Sequence, residues 1–195
     1  MTFIETVPED QAQGQLAEIY ATEKSSNGFI PNYTRTFGHR PDLYLAWAQL
    51  VKTVRSAMDP RRYELATTAA AIALRSTYCS LAHGEKLLGL GSDEDEVRSL
   101  VRDDGSGLSE QEKAVLDYAV KVVRSANAVT EDDIERLRSV GLSDTEIFDV
   151  AAAAAARSFF SKLLDATGTR PDSIFRERIP GLVDDLTVGR EPDEL

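Results

Sequence analysis

The chain is poor in the residues that most often advertise chemistry. Among 195 residues there is one cysteine, Cys79, and there are two histidines, His39 and His83. A single cysteine excludes an intrachain disulfide and a thiolate metal cluster, and it suits a reducing compartment. Two histidines far apart in sequence make a weak ligand set, so neither a metal nor another cofactor is expected. Basic residues are scarce as well: 22 Lys and Arg stand against 33 Asp and Glu, a net charge of -11. That surface repels polyanions and no basic stripe offsets it, so neither nucleic acid nor an anionic membrane is an expected partner. Long apolar runs are missing too. The most apolar stretch, Ala151 to Ala156, is bracketed by Asp149, Arg157 and Lys162, well short of the ~20 residues a membrane span needs. The opening residues, Met1 to Glu5, show no basic region followed by an apolar run. No signal peptide is therefore expected, and the expected location is cytoplasmic. No segment alternates apolar and polar residues over a strand's length, and no glycine loop is built to cradle phosphate.

What the chain does have is helix, with marked starts. Pro8 to Lys24 carries Ala12, Leu16, Ile19 and Tyr20 at helical spacing, closed by Gly28. Pro41 opens a helix with Leu43, Trp47, Leu50 and Val51 on one face, and Pro60 opens another with a stripe of Leu65, Thr68, Ala69, Ile72 and Ala73. Ser109 with Glu112 and Ser143 with Glu146 fit the capping box, and Thr130 with Asp133 is a weaker variant. Gly89, Gly91, Gly105 and Gly107 read as helix terminators. The alanine run at 151–156 suits a core helix that lets its neighbours approach closely. The fold class is all-α. Residues 1–170 form the expected helical domain. Residues 171–195, broken by Pro171, Pro180, Gly181 and Pro192, form a C-terminal arm lying on the domain or on a neighbouring subunit.

Chemistry concentrates at one place. Cys79 and His83 are four residues apart, so on a helix they share a face and the imidazole can take the thiol proton. The segment from Arg75 to Cys79 looks like a helix restart with Ser76 as N-cap. Cys79 would then lie near the third helical position, where free N–H groups and the helix dipole favour thiolate. Read blandly, Cys79 is a buried core residue and the spacing is coincidence. Glu64 adds a third group, a carboxylate on an otherwise apolar segment, either a helix-end surface charge or a buried acid with a partner. His39 is expected to be a surface or packing residue, and Trp47 and Tyr78 to be wall or core residues.

The set Glu64, Ser76, Cys79, His83 resembles the alkylhydroperoxidase D-like family, in which a Glu precedes a Cys-x-x-Cys-x-x-x-His motif at this spacing. In its carboxymuconolactone decarboxylase branch the Glu and His keep their separation and the cysteines are absent. Further likeness, in Arg40-Pro41, Leu108 to Glu112, Tyr118-Ala119, Leu137 to Asp144 and Phe160 to Gly168, points to the branch called peroxidase-related proteins. There are two departures. Ser76 replaces the first motif cysteine, and Ser161-Lys162 stands where the family usually has Asn-Arg. A lysine does not reproduce arginine's planar fork.

The resemblance implies a compact multi-helix fold, a homo-oligomer, and roles for four residues. Cys79 would attack a hydroperoxide and become a sulfenic acid, His83 would move the proton, and Glu64 would complete the relay. Ser76 would hydrogen-bond the thiolate or cap the helix. With one thiol, turnover would need an external thiol reductant or Cys79 of another subunit, in a symmetric intersubunit disulfide that is geometrically demanding. One alternative is decarboxylase-like acid–base chemistry on a small organic acid, with Arg61, Arg62, Arg75 and Lys86 as candidate anion partners. Another is a helical oligomer whose redox site has decayed.

Overall fold

The computed structural model describes residues 2–102 and 104–194. Among these there are eleven α-helices and no strand. In chain order they are α1 (Gln15–Asn27), α2 (Asn32–Phe37), α3 (Pro41–Ala57), α4 (Pro60–Ala73), α5 (Thr77–Gly89), α6 (Glu94–Arg102), α7 (Glu110–Ser125), α8 (Glu131–Ser139), α9 (Asp144–Ala166), α10 (Phe175–Arg178) and α11 (Val183–Leu186). None of the described helices is long and apolar enough to cross a membrane.

The centre of the fold is α4, which packs against α5, α7 and α9. Every residue from Tyr63 to Ala71 is buried, so α4 has no solvent face along this stretch. The stripe expected for it is correct at Leu65, Thr68 and Ala69, while Ile72 and Ala73 lie only half-buried toward its end. Small side chains make the surround possible. Ala66 and Ala70 of α4 meet Ala153 and Ala154 of α9 in one apolar cluster, where the missing bulk lets backbones approach.

Helix starts follow the sequence closely. Ser109 and Ser143 each accept from the N–H of a Glu three residues on, at 3.3 Å, and each Glu accepts from the serine N–H at 2.8 Å. Asp133 likewise accepts from the Thr130 N–H at 2.7 Å. Two expectations need correction. The first helix does not run from Pro8; only a short 3-10 turn forms at Glu9–Gln11, and Gly14 at φ 52 separates it from α1. On α3, Leu50 points outward, half exposed, and the buried seam runs through Tyr44 and Val54 with Trp47 and Val51 packed beside it.

Residues 171–194 fold back onto the helical body. Leu182 and Leu186 are fully buried, and α11 packs on α5 and α6. Asp172 accepts from the Tyr78 hydroxyl and, at 3.0 Å, from the Asn32 N–H, tying the arm to α5 and α2.

Candidate active site around Cys79

The turn between α4 and α5 places the site. Arg75 adopts φ 57, the only non-glycine residue with positive φ among those described. Its N–H donates to Ile72 O and the Ser76 N–H donates to Ala71 O, both at 2.9 Å. These two bonds form a Schellman cap on α4, with an arginine where glycine is usual. The residue that completes this cap, Ser76, is also the N-cap position of α5. The chain therefore reverses within three residues and brings α5 back along α4.

Cys79 is thereby the third residue of α5, as the restart pattern implied. Its thiol is 1% exposed, and its hydrogen-bonding partners come from α9 rather than from its own helix. Ser161 Oγ donates to Cys79 Sγ at 3.2 Å, and Arg157 Nη1 donates at 3.5 Å. Arg157 and Ser161 are one helical turn apart, so both reach the sulfur from the same face of α9. The sulfur is thus the acceptor of two hydrogen bonds, one of them from a charged guanidinium.

His83 turns the other way. Its Nδ1 lies 2.5 Å from Glu64 Oε2 and 3.3 Å from Thr67 Oγ1. Both partners are on α4, and both side chains of the Glu64–His83 pair are almost fully enclosed. Burial, reinforced by the nearby cations Arg157, Lys86 and Arg55, holds the imidazole well below its ordinary pKa, so His83 is neutral at neutral pH. Burial raises the Glu64 carboxyl, opposed by Lys86, Arg55 and Arg157. Arg55 Nη2 approaches Glu64 Oε1 at 3.7 Å. Glu64 is thus the buried, partnered acid, not the helix-end surface charge.

Cys79 and His83 both line a cavity of about 280 Å³. Its walls include Tyr33, Trp47, Tyr63 and Phe160, with Trp47 stacked on Phe160 at 4.1 Å between ring centroids and 14° between planes. Tyr78, Ile174, Phe175 and Arg178 add a wall contributed partly by the C-terminal segment. The helical spacing predicts contact between thiol and imidazole. They share the cavity instead, with no hydrogen bond between them, because Glu64 claims the imidazole and α9 claims the sulfur.

Ser76 makes neither contact expected of it. Its hydroxyl is buried and forms no cap bond to α5; the Asp165 carboxyl, not the thiol, is the group it interacts with. The four candidate anion partners also separate. Arg61 is held by Glu96 at 2.6 Å and Glu112 at 2.7 Å, and Arg62 by Glu146 at 2.6 Å. Arg75 is exposed and donates to Val188 O. Only Lys86 lines the cavity. His39 is exposed and bonds the Glu5 carbonyl, a packing role. Arg157 is the residue that sequence reasoning passed over. Its signal was a cation directly following the alanine run, four residues before the Ser161 that departs from the family pattern.

Residues 41–121 match the family model described as Carboxymuconolactone decarboxylase family. No curated protein matches the sequence. Among solved structures, the chain is similar to an alkylhydroperoxidase AhpD core, an uncharacterized peroxidase-related protein from Ralstonia eutropha JMP134. The TM-score is 0.81 at 24% identity, covering 89% of this chain and 94% of that one. An uncharacterized peroxidase-related protein from Silicibacter sp. TM1040 gives a TM-score of 0.75 at 20% identity, covering 89% and 90%. The debrominase Bmp8, solved as a cysteine-to-alanine variant in complex with 2,3,4-tribromopyrrole, gives 0.75 at 18% identity, covering 93% and 98%. The segment at residues 41–121 thus resembles the carboxymuconolactone decarboxylase family, and the fold of the chain is the alkylhydroperoxidase D-like one.

Proposed function

We propose that the protein is a single-thiol hydroperoxidase in which Cys79 is the nucleophile. The observation that carries this reading is the pair of donors, Ser161 Oγ and Arg157 Nη1, held on the sulfur inside a cavity. The sulfur attacks the terminal oxygen of a hydroperoxide and the O–O bond breaks. Cys79 becomes a sulfenic acid, and the alcohol leaves with the former thiol proton. His83 is the group that relays this proton: it is neutral, Glu64 fixes its Nδ1, and its Nε2 is free of protein hydrogen bonds among the described residues. With no second cysteine in the chain, two equivalents of an external thiol restore Cys79, releasing water and a disulfide of that reductant.

The reading is tested by following loss of cumene hydroperoxide in the presence of dithiothreitol. Turnover is expected in the wild type and is expected to vanish in Cys79→Ser. Turnover that survives Cys79→Ser while His83→Ala abolishes it would favour acid–base chemistry instead.

The ring-lined cavity and the likeness to a debrominase favour a second electrophile at the same sulfur. A halogenated ring would exchange bromine for hydrogen, consuming two thiol equivalents and releasing hydrogen bromide and a disulfide. Cys79-dependent bromide release from tribromopyrrole distinguishes that reading.

A further inference from the structure

We infer that the outward face of α9 binds α9 of a second copy of this chain, antiparallel and across a two-fold axis. The pairing does not depend on how Cys79 reacts.

Two exposed phenylalanines are the first ground. Phe148 is 71% exposed and Phe159 43%, on a helix that buries Ile147, Val150, Phe160 and Leu164. Phe148, Ala152, Ala155 and Phe159 follow one another at steps of four, three and four residues, so they share one face. Arg157 and Ser161 point the opposite way, toward the sulfur. None of the four outward positions is charged, on a chain whose net charge is -11. Two large rings joined by exposed Ala155 make an apolar patch of the kind that marks an association surface.

The order of the face is the second ground. A two-fold contact requires that the residue met by i in the partner meets i in return. Phe148 and Ala152 precede the midpoint of the face by the same steps at which Phe159 and Ala155 follow it. In an antiparallel pair each Phe148 therefore meets Phe159 of the second copy, and each Ala152 meets Ala155 of the second copy. The alanines let the helix axes approach, and the rings close over both ends.

Charge fixes the direction. Lys162, exposed just beyond Phe159, forms no ion pair among the described residues. Asp144, just before Phe148, holds Arg138 through Oδ1 at 2.7 Å, leaving Oδ2 open. The antiparallel register sets Lys162 beside Asp144 of the second copy, offset along the axis by only about 1.5 Å. A parallel pair would set lysine against lysine and aspartate against aspartate. The face is about 16 Å long and about 10 Å wide, less than the roughly 800 Å² per partner of a standard interface. The pair is therefore expected to dissociate on dilution.

Sedimentation equilibrium of the full-length chain, from about 1 to about 300 µM, tests this. The wild type is expected to pass from one chain to two. Phe148→Asp is expected to weaken association at least about thirtyfold. Lys162→Asp sets like charges together and is expected to weaken it about tenfold. Combining Asp144→Lys with Lys162→Asp restores opposite charges and is expected to recover most of that loss. Leu90→Asp, at an exposed apolar position after α5, is expected to change nothing. Circular dichroism accompanies each variant, and if Phe148→Asp loses helix the exposed charge pair decides alone. One chain at every concentration, association that survives Phe148→Asp in folded protein, or a charge swap no stronger than Lys162→Asp alone overturns the inference.

Discussion

Ser161 Oγ donates to Cys79 Sγ at 3.2 Å across the junction of α9 and α5, two residues 82 positions apart in sequence. The contact is buried, and Arg157 reinforces it from one turn earlier. A neutral hydrogen bond contributes about 1 kcal/mol and a charged one about 1.5–3 kcal/mol. Ser161→Ala is therefore expected to slow Cys79 oxidation about fivefold, and Arg157→Met about tenfold to a hundredfold. The single tryptophan, Trp47, lines the same cavity and supplies a stopped-flow fluorescence signal for the rate. Unchanged rates in both variants would remove these donors from the chemistry.

Enclosure of His83 makes folding stability depend on pH. Its folded pKa is depressed, so its contribution is fully present above the ordinary value of 6.5 and is lost as pH falls below it. The unfolded imidazole takes a proton there that the folded one refuses. Between pH 7 and pH 5.5 the wild type is expected to lose about 1 kcal/mol more than His83→Gln in urea denaturation. Glu64, raised by burial, works in the opposite direction but is present in both proteins. Parallel pH profiles for the two would contradict the neutral, buried imidazole.

The start of α9 carries the arginine and the serine that address the sulfur, so its cap bears on the site indirectly. Glu146 accepts from Ser143 N–H and Oγ and pairs with Arg62, which holds its pKa at about 2. Loss of the cap in Ser143→Ala is expected to cost about 1 kcal/mol. The stabilisation from Glu146 is present above pH 4.5 and disappears as pH falls toward 2, the sign expected of a depressed carboxylate. An acid-denaturation midpoint that is identical in Glu146→Gln would argue against it.

The C-terminal segment is held by a close backbone approach. A Cβ placed on Gly189 would meet Arg75 O at 2.0 Å and its carbonyl carbon at 3.1 Å, a clash with backbone that side-chain rotation does not relieve. Gly189→Ala is expected to destabilise the protein by about 1–3 kcal/mol. Hydrogen exchange is expected to quicken in residues 182–194 and around Ser76 before the rest of the fold. Uniform protection there would show that the segment tolerates the shift.

Much of this was legible in the sequence because local signals carry it. Proline starts, capping boxes and glycine ends predict α3, α4, α7 and α9, and the Glu64, Cys79 and His83 spacing marks the turn of helix that lines the cavity. What could not be read was tertiary. An i, i+4 spacing puts Cys79 and His83 on one face but does not say that α4 draws the imidazole one way while α9 draws the sulfur another. Arg157 looked like the polar end of an alanine run, because nothing local distinguishes a solvated arginine from one enclosed beside a thiol. Ser76 sits at an N-cap position by pattern, yet its backbone is committed to closing α4 and its hydroxyl does not reach the helix it precedes.

The most direct measurement is the rate at which hydrogen peroxide converts Cys79 to sulfenic acid, trapped with dimedone and quantified by mass spectrometry. Oxidation is expected to be at least about a hundredfold faster than that of free cysteine at the same pH, and to fall toward the free value in Arg157→Met. Oxidation of wild-type Cys79 no faster than free cysteine, in protein shown to be folded, would contradict the assignment of Cys79 as the nucleophile.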